Sequence, residues 1–286
     1  MGKIRLAKEH ETYLATLYGK ALDARAEHPI LGDRFAADAV ARIDLDFRSL
    51  KLPRGGEITL PMRALHFDRW TRAFLAENPR STVLHLGCGL DARALRIDPG
   101  PGVLWLDVDR PDVIELRRQL FPERPGYQLI GTSVTDLGWL EPVPKDRPAL
   151  VVAEGLVHYM PAGDLHALFR RIVGRCPAGQ IAFDAYAKIM LRGVSRMATV
   201  RGAKVTLAGA VDDPKALERE IPGLRLVEDV PFLTMPELVA RLSTSWSSRL
   251  LYGLLVRVPL YRRLVRHLRY EFGPRQRDER ELSASR

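Results

Sequence analysis

The sequence predicts an α/β fold in which a mostly parallel sheet follows an N-terminal helical cap. Three observations support this prediction. The first eighty residues show mainly helical patterns. From Ser81 to Tyr186, short apolar segments then alternate with helical ones, as in a parallel sheet that helices cover on both faces. A glycine-rich turn, Gly87-Cys88-Gly89, follows the first apolar segment, at the place where such sheets bind ligands.

The cap is predicted to span residues 1–80 and to contain three helices. The first helical pattern ends before Pro29, because the residue that precedes a proline disfavours helical backbone. A second pattern begins at Asp33 and ends near Ile43. A third begins with Pro61, a residue well suited to a first helical turn, and ends at Asn78.

The sheet is predicted from five apolar segments, which are STVLHLG, GVLWLDVD, YQLIGTSVTD, RPALVVAEG and GQIAFDAYA. Because helical patterns separate several of them, they indicate βαβ units. Beyond Lys188 the pattern weakens. There, LRLVEDVPFL predicts a late strand, and SSRLLYGLLVRVPLYRRLVRHLRYEFG predicts a helical C-terminal segment with a break at Pro259.

Composition restricts the cellular setting and the partners. The two cysteines make no disulfide framework, the N-terminus lacks an apolar leader, and no apolar run approaches the ~20 residues of a membrane span. We therefore predict a cytoplasmic protein. The net charge is +9, and the segment Arg241–Arg286 holds eleven arginines against four acids. Such a stripe can bind nucleic acid or anionic lipid. We favour a solvated helix with a disordered basic tail over 273–286, and expect no nucleic-acid partner.

The glycine turn predicts a nucleotide-like ligand without identifying it. Gly87 and Gly89 allow the backbone to bend and to approach a ligand closely. Asp107 and Asp109 end the second strand, 20 and 22 residues after Gly87, where a carboxylate can accept both ribose hydroxyls. This combination suits nicotinamide dinucleotides and S-adenosylmethionine equally, and the turn also fits the dinucleotide pattern G-x-G-x-x-A.

Two later strand ends favour S-adenosylmethionine. The third strand ends in SVTD, which predicts that Ser133, Val134 and Asp136 line an adenine. The fourth strand ends at Glu154, where a carboxylate can meet an ammonium group. S-adenosylmethionine carries such an ammonium group, whereas nicotinamide dinucleotides do not. The eighty residues before the turn agree with this choice, because many nicotinamide-binding domains begin near their glycine turn.

Taken together, VLHLGCGLDARAL, LDVDRPDVIELRRQLF and VVAEGLVHYM resemble the leucine carboxyl methyltransferase family, most closely its bacterial branch of polyketide O-methyltransferases. The segments ETYLATLYGKALDARAEHPILGD and RALHFDRWTRAFL fit as well, so the resemblance covers residues 10–190. It implies a Rossmann-like class I methyltransferase sheet with an N-terminal helical cap. The S-adenosylmethionine-binding domain would then span 81–272, with an acceptor-site insertion around 186–222.

The resemblance also implies which residues hold the methionine part of the cofactor. Arg63 would grip the methionine carboxylate, with Lys20 assisting. A guanidinium suits this role because it meets a carboxylate through a planar two-point fork, which lysine cannot form. Gly87 and Gly89 would pass beside the methionine part, and Glu154 would face it.

For the adenosine part, the resemblance implies that Asp109 takes the ribose, with Asp107 as the nearby alternative. Ser133 and Val134 would flank the adenine. Some relatives have Asp-Leu in place of this pair, so a direct carboxylate contact is missing here. Asp136 is expected to compensate for it.

The chemistry of methyl transfer predicts the remaining site residues. Transfer from a sulfonium is an in-line displacement, which depends mainly on holding donor and acceptor in line. A carboxylate acceptor is already ionised at neutral pH, whereas a phenol benefits from a base. After the fourth strand, His158 and Tyr159 are best placed as catalytic residues. We expect a small-molecule carboxylate or phenol of polyketide type, attracted by a basic group formed by Lys188, Arg192 and Arg196, and no metal.

Three alternatives remain open. An NAD(P)-dependent oxidoreductase would need a proton donor such as Tyr-x-x-x-Lys, which YAKIMLR and HYMPAGD do not supply. A nucleic-acid methyltransferase of this fold would carry an Asp/Asn-Pro-Pro-Tyr run after strand four, where this chain has Glu154-Gly155-Leu156-Val157. A binding protein that keeps the cofactor site without catalysis would look the same in sequence. No pattern indicates the oligomeric state.

Overall fold

The computed structural model describes residues 4, 11–50, 52, 55–196 and 207–274 of the 286-residue chain. Seven strands form one sheet in the order β3-β2-β1-β4-β5-β7-β6. The strands are β1 Thr82–Leu86, β2 Leu104–Asp109, β3 Tyr127–Gly131, β4 Ala149–Ala153, β5 Gly179–Tyr186, β6 Arg225–Pro231 and β7 Val265–Phe272. The pairs among β1 to β5 are parallel, whereas β7 is antiparallel to both β5 and β6.

The apolar runs of the first strands explain why the sheet lies at the centre of the molecule. Every residue of β1 and β4 is buried, as expected for parallel strands covered on both faces. One face packs against α6 (Ala162–Arg175) through residues such as Phe169 and Ile172. The other packs against α3 (Gly56–Glu77) through Phe67, Trp70 and Phe74. The predicted α/β class with a mostly parallel sheet is confirmed.

The N-terminal cap contains α1 Glu11–Ala24, α2 Arg34–Arg42 and α3. Its own apolar cluster joins α1 and α2 to α5 (Pro111–Leu120) of the sheet domain. Helix α3 begins at Gly56, five residues earlier than predicted, because Pro61 lies inside its second turn rather than at its start. The predicted boundary at residues 80 and 81 falls in the turn between α3 and β1.

The predicted helical C-terminus is wrong for its last third. Helices α10 (Trp246–Leu255) and α11 (Pro259–Arg263) form, with the expected break at Pro259. The following segment is β7, which inserts between β5 and β6. Its pairing with one strand on each side, β5 and β6, overrides the local helical pattern, because strand preference depends on tertiary partners. Of the predicted disordered tail at 273–286, residues 275–286 lie outside the described residues.

The segment 186–222, predicted as an acceptor-site insertion, contains α7 (Lys188–Val194) and α8 (Lys215–Glu220). Helix α9 (Pro236–Leu242) follows β6 and packs on the cap helix α3. The predicted late strand is confirmed as β6. Residues 197–206 of the insertion lie outside the described part of the chain. Within the described part, no helix is long and apolar enough to cross a bilayer.

Candidate active site

The glycine turn lies at the carboxyl end of β1 and needs both of its glycines. Gly87 and Gly89 have φ values of 59° and 51°, which side chains with a Cβ rarely adopt. At Gly87, an added Cβ would also lie 2.9 Å from a side-chain carbon of Leu156, in the loop after β4. At Gly89, it would lie 3.5 Å from Tyr13 of α1. The turn is therefore held closely between the cap and the end of β4.

Asp109, the last residue of β2, faces this turn. Its carboxylate accepts the Gly89 N–H at 2.7 Å through one oxygen and the Arg110 N–H at 2.8 Å through the other. Burial raises the pKa of Asp109, although these two backbone donors oppose the rise. A carboxylate that is partly buried beside a glycine turn is well suited to accept further hydroxyl groups.

Asp107 has a different role. It is fully buried, and Oδ1 lies 2.9 Å from both Nδ1 of His85 and Nε1 of Trp105, while Oδ2 accepts from Arg117 and Tyr127. Burial opposes its ionisation, but the Arg117 guanidinium and His85 outweigh burial and lower the pKa of Asp107 to about 2. Both oxygens are engaged inside the protein, so the geometry favours Asp109 over Asp107 for a ribose.

Glu154, just beyond the end of β4, is the centre of a buried ion cluster. Its Oε1 accepts from Nε of Arg63 at 2.9 Å and lies 3.8 Å from Nζ of Lys20, while its Oε2 accepts from Arg93. Burial opposes the charged form, but Lys20, Arg63 and Arg93 overcome it and lower the pKa of Glu154. The structure thus brings together three of the residues that are predicted to bind the methyl donor: Lys20, Arg63 and Glu154.

The acidic partner of Arg63 on the neighbouring strand was not predicted. Nη1 of Arg63 lies 3.2 Å from Asp184 of β5, and Asp184 also accepts the Gly155 N–H at 2.6 Å. Gly155 has a φ of 73°, and an added Cβ would lie 3.5 Å from the Arg63 guanidinium. The only sequence signal for Asp184 is a single acid within the apolar strand GQIAFDAY.

A second layer of charges supports the first. Asp91, after the glycine turn, pairs with Lys20 at 2.9 Å, with Arg93 at 3.1 Å and with Arg96 at 3.0 Å. The two arginines also bind Asp68 of α3. Neither arginine was predicted as a site residue, because their spacing on α4 (Arg93–Ile97) looks like that of an ordinary helix start. Buried charges of this kind persist only when paired.

His158 and Tyr159 lie in a short 3-10 helix, Val157–Tyr159, next to this cluster. The His158 ring lies 4.2 Å from the Tyr159 ring and 4.7 Å from the Tyr186 ring, between centroids. Only 9% of His158 is exposed, and its Nδ1 has no hydrogen-bond partner among the described residues. Burial lowers the pKa of His158 to about 4, so the imidazole is neutral at pH 7. Burial also raises the pKa of Tyr159.

The predicted adenine residues lie beyond the end of β3. Ser133 and Asp136 are exposed, whereas Val134 is buried. Asp136 begins the 3-10 helix Leu137–Leu140, and Thr132 donates a hydrogen bond to it at 3.3 Å. These three side chains therefore lie at the same edge of the sheet as the glycine turn.

A cavity of about 410 Å³ lies between α7 and the segment 207–212. Lys188 and Arg192 line it, as does Asp212. Arg196 is not among the lining residues. The cavity adjoins His158, because the His158 carbonyl accepts the N–H of Ala208 at 3.0 Å. Two of the three basic residues predicted for the acceptor side thus share one cavity.

Comparisons with known proteins identify the relatives of this chain. Residues 14–173 match the model of the family described as leucine carboxyl methyltransferase. The chain is 43% identical to the tetracenomycin polyketide synthesis O-methyltransferase TcmP of Streptomyces glaucescens, over 94% of this chain and 98% of that one. It is 36% identical to the S-adenosyl-L-methionine-dependent methyltransferase dpfgK of Gibberella zeae, over 79% and 83% of the two chains.

Among solved structures, a DUF574 family protein of Streptomyces avermitilis shares the fold with a TM-score of 0.56 at 14% identity, over 91% of this chain and 97% of that one. The fold and the relatives define the class: an S-adenosylmethionine-dependent methyltransferase with a class I sheet. Within that class, the chain belongs to the leucine carboxyl methyltransferase family.

Proposed function

We propose that this enzyme transfers a methyl group from S-adenosylmethionine to an oxygen of a small acceptor, a carboxylate or phenol of polyketide type. One observation carries the donor part of the proposal. Arg63 and Glu154 lie side by side beyond β4, next to the glycine turn. Opposite charges in one place match the carboxylate and ammonium groups of an amino acid. The name of the Streptomyces glaucescens relative supports the acceptor class.

The residues of the site fit such a donor. A guanidinium has five N–H groups, more than Arg63 uses on Glu154 and Asp184, so it can also take a ligand carboxylate. Glu154 would take the ammonium group, and Lys20 would balance the buried charge. Gly87 and Gly89 leave room for the methionine part. When bound, the cofactor supplies an electrophilic methyl group on its sulfonium.

The adenosine end would lie across β2 and β3. Asp109 would accept the ribose hydroxyls, since its oxygens meet only backbone donors within the described residues. Val134 would offer an apolar contact to the adenine. Ser133 and Asp136 would offer polar ones. Asp107 is left out of this assignment because its carboxylate is already saturated by buried partners.

On the acceptor side, His158 would act as the base for a phenol, with Tyr159 beside it. Its imidazole is neutral and its Nδ1 has no hydrogen-bond partner within the described residues, so it can accept a proton at pH 7. An acceptor carboxylate would need no such transfer. Lys188 and Arg192 at the cavity would attract an acidic acceptor. A cytoplasmic location and the lack of a nucleic-acid partner stay predictions.

The donor assignment is tested by binding of S-adenosylhomocysteine, measured by calorimetry. We expect Arg63→Ala to weaken binding by about 10- to 100-fold, since hydrogen bonds between charged groups contribute ~1.5–3 kcal/mol. Arg63→Lys should bind with intermediate affinity. Arg69→Ala is the matched control, because Arg69 lies on the same helix but is half-exposed and pairs with Glu237.

Unchanged affinity in Arg63→Ala would remove Arg63 from the site. A thermal shift with NADH and none with S-adenosylhomocysteine would refute the assignment of S-adenosylmethionine as the methyl donor. The acceptor class is tested separately with a panel of aromatic carboxylates, phenols and amines, and exclusive methylation of amines would reject it.

A further inference from the structure

The exposed apolar side chains of this protein concentrate on one short segment. Of nine large apolar residues that are exposed among the described residues, six lie between 246 and 260. They are Trp246, Leu250, Leu251, Leu254, Val258 and Leu260. Helix α10 has no buried residue, and Trp246 is 79% exposed. Concentrations of exposed apolar surface such as this mark interaction sites.

The same segment is basic. Residues 238–270 contain seven arginines and no acid. We call residues 246–263 the arginine–leucine surface. Along α10, Trp246, Leu250 and Leu254 follow one another at four-residue spacing and therefore form one stripe. Arg249 and Arg257 are exposed along the same stretch, and Arg262 and Arg263 end α11.

Local hydrogen bonds define both ends of helix α10. Ser245 forms a capping box with Ser248 at the start of α10. At its other end, Arg257 donates to the Gly253 carbonyl at 3.0 Å. Strand β7 follows α11 almost directly and is paired on both sides. Helix α10 therefore has defined ends, and the chain continues from it through α11 into the sheet.

From this arrangement we infer that the arginine–leucine surface docks onto an anionic lipid membrane. Helices with apolar residues on one side and arginines beside them lie in the membrane interface. Anionic headgroups attract the arginines, while the tryptophan and leucines enter the region below them. Helix α10 has ten residues, about 15 Å at 1.5 Å per residue, so it can lie on a bilayer but cannot cross its ~30 Å core.

Other possible partners of the arginine–leucine surface match its positive charge less well. A second copy docking symmetrically would place the same patch against itself and would bring arginine to arginine with no acid between them. The parts of this chain outside the described residues are also basic. Residues 1–10, 197–206 and 275–286 each have a net positive charge. An anionic lipid surface supplies both the negative charge and the apolar layer.

The full-length chain can be tested with vesicles of phosphatidylglycerol and phosphatidylcholine, and with vesicles of phosphatidylcholine alone. We expect cosedimentation with the first kind only, and weaker binding at high salt. Tryptophan emission should shift to the blue on binding. Trp246 would dominate that shift, because Trp70, Trp105 and Trp139 are at most 7% exposed.

Two double variants separate the contribution of the arginines to vesicle binding from that of the leucines. Arg249→Gln with Arg257→Gln should weaken vesicle binding by about 25-fold, at about fivefold per arginine. Leu250→Ser with Leu254→Ser should weaken it at least about tenfold. The matched control is Leu45→Ser with Arg48→Gln, an exposed leucine and arginine of the cap. All variants should keep the circular dichroism spectrum and melting temperature of the wild type.

Failure of the wild type to bind the anionic vesicles would overturn the inference. So would equal binding to both kinds of vesicle, or equal loss in the control variant. The surface would instead be assigned to contact with a second copy if two results were found together. The wild type would bind no vesicles, and it would self-associate with rising concentration in a way that Leu250→Ser with Leu254→Ser abolishes. Methylation activity does not enter any of these readouts.

Discussion

Asp107 and Asp109 are two residues apart on β2, yet the structure gives them separable roles. We expect Asp107→Asn to destabilise the fold, and Asp109→Asn to weaken S-adenosylhomocysteine binding with little effect on stability. Asp107 is fully buried against Arg117. Removing one partner of a buried ion pair costs about 3–5 kcal/mol, because it leaves the other charge uncompensated.

The pKa of Asp107 gives a second magnitude for its contribution to the free energy of unfolding. Its fall from 3.8 to about 2 corresponds to roughly 2.5 kcal/mol at 1.36 kcal/mol per pKa unit. Because the folded-state pKa lies below the ordinary value, this stabilisation is complete above about pH 4 and disappears as the pH falls towards 2. The wild-type free energy of unfolding should therefore fall over this range more steeply than that of Asp107→Asn.

The assay is guanidinium unfolding at pH 7 for both variants, combined with calorimetry of S-adenosylhomocysteine on the folded proteins. For Asp109→Asn we expect binding weaker by about 10- to 100-fold, from the loss of charged hydrogen bonds of ~1.5–3 kcal/mol. Asp107→Asn should also bind somewhat less well, because Arg117 donates to the carbonyls of Gly89 and Asp91. An unchanged unfolding midpoint in Asp107→Asn, or full ligand affinity in Asp109→Asn, would refute the reasoning.

Three further predictions concern the acceptor side and the turn. His158→Ala should lower kcat for a phenol by about 10²- to 10⁴-fold, but leave kcat for a carboxylate acceptor nearly unchanged. In the wild type, kcat for the phenol should fall only below about pH 4. Equal losses of kcat on both acceptors would argue against a base. Gly87→Ala should weaken S-adenosylhomocysteine binding and lower the free energy of unfolding by about 1–3 kcal/mol, whereas Gly163→Ala, with nothing within 4 Å of the new Cβ, should do neither in calorimetry and unfolding. Lys188→Ala with Arg192→Ala should raise KM for an acidic acceptor about tenfold at unchanged cofactor Kd, and a change in cofactor Kd would place these residues elsewhere.

Much of the sheet could be predicted from sequence because its signal is local. Strand β4 is a continuous apolar run, β1 is apolar except for Thr82 and His85, and the polar residues that follow these strands mark the ligand edge. Strand β7 could not be recognised in this way. Its sequence VRHLRYEF continues an arginine-rich helical pattern, and only its partners β5 and β6, distant in sequence, make it a strand.

The same distinction applies to the site. Gly87 and Glu154 could be predicted because turns and strand ends carry a recognisable pattern. Arg63 lies within a helix and could be predicted only through the family resemblance. Asp184 was missed because it lies within a strand, and its partner Arg63 is 121 residues away. Alternation cannot separate Asp107 from Asp109, since residues two apart share a face of the strand. Only the point at which the strand ends distinguishes them.

The place of β7 in the sheet has a consequence for how the chain is made. Among the described residues, the strand that pairs with the outer edge of β5 is β7, which begins at Val265, whereas β5 ends at Tyr186. During synthesis, this hydrogen-bonding edge of β5 stays open until residues 265–272 have left the ribosome. Open edges of apolar strands are where chains pair wrongly and aggregate. A chain that stops before residue 265 would keep the residues proposed to bind the methyl donor, but the edge of β5 would stay unpaired and prone to aggregation.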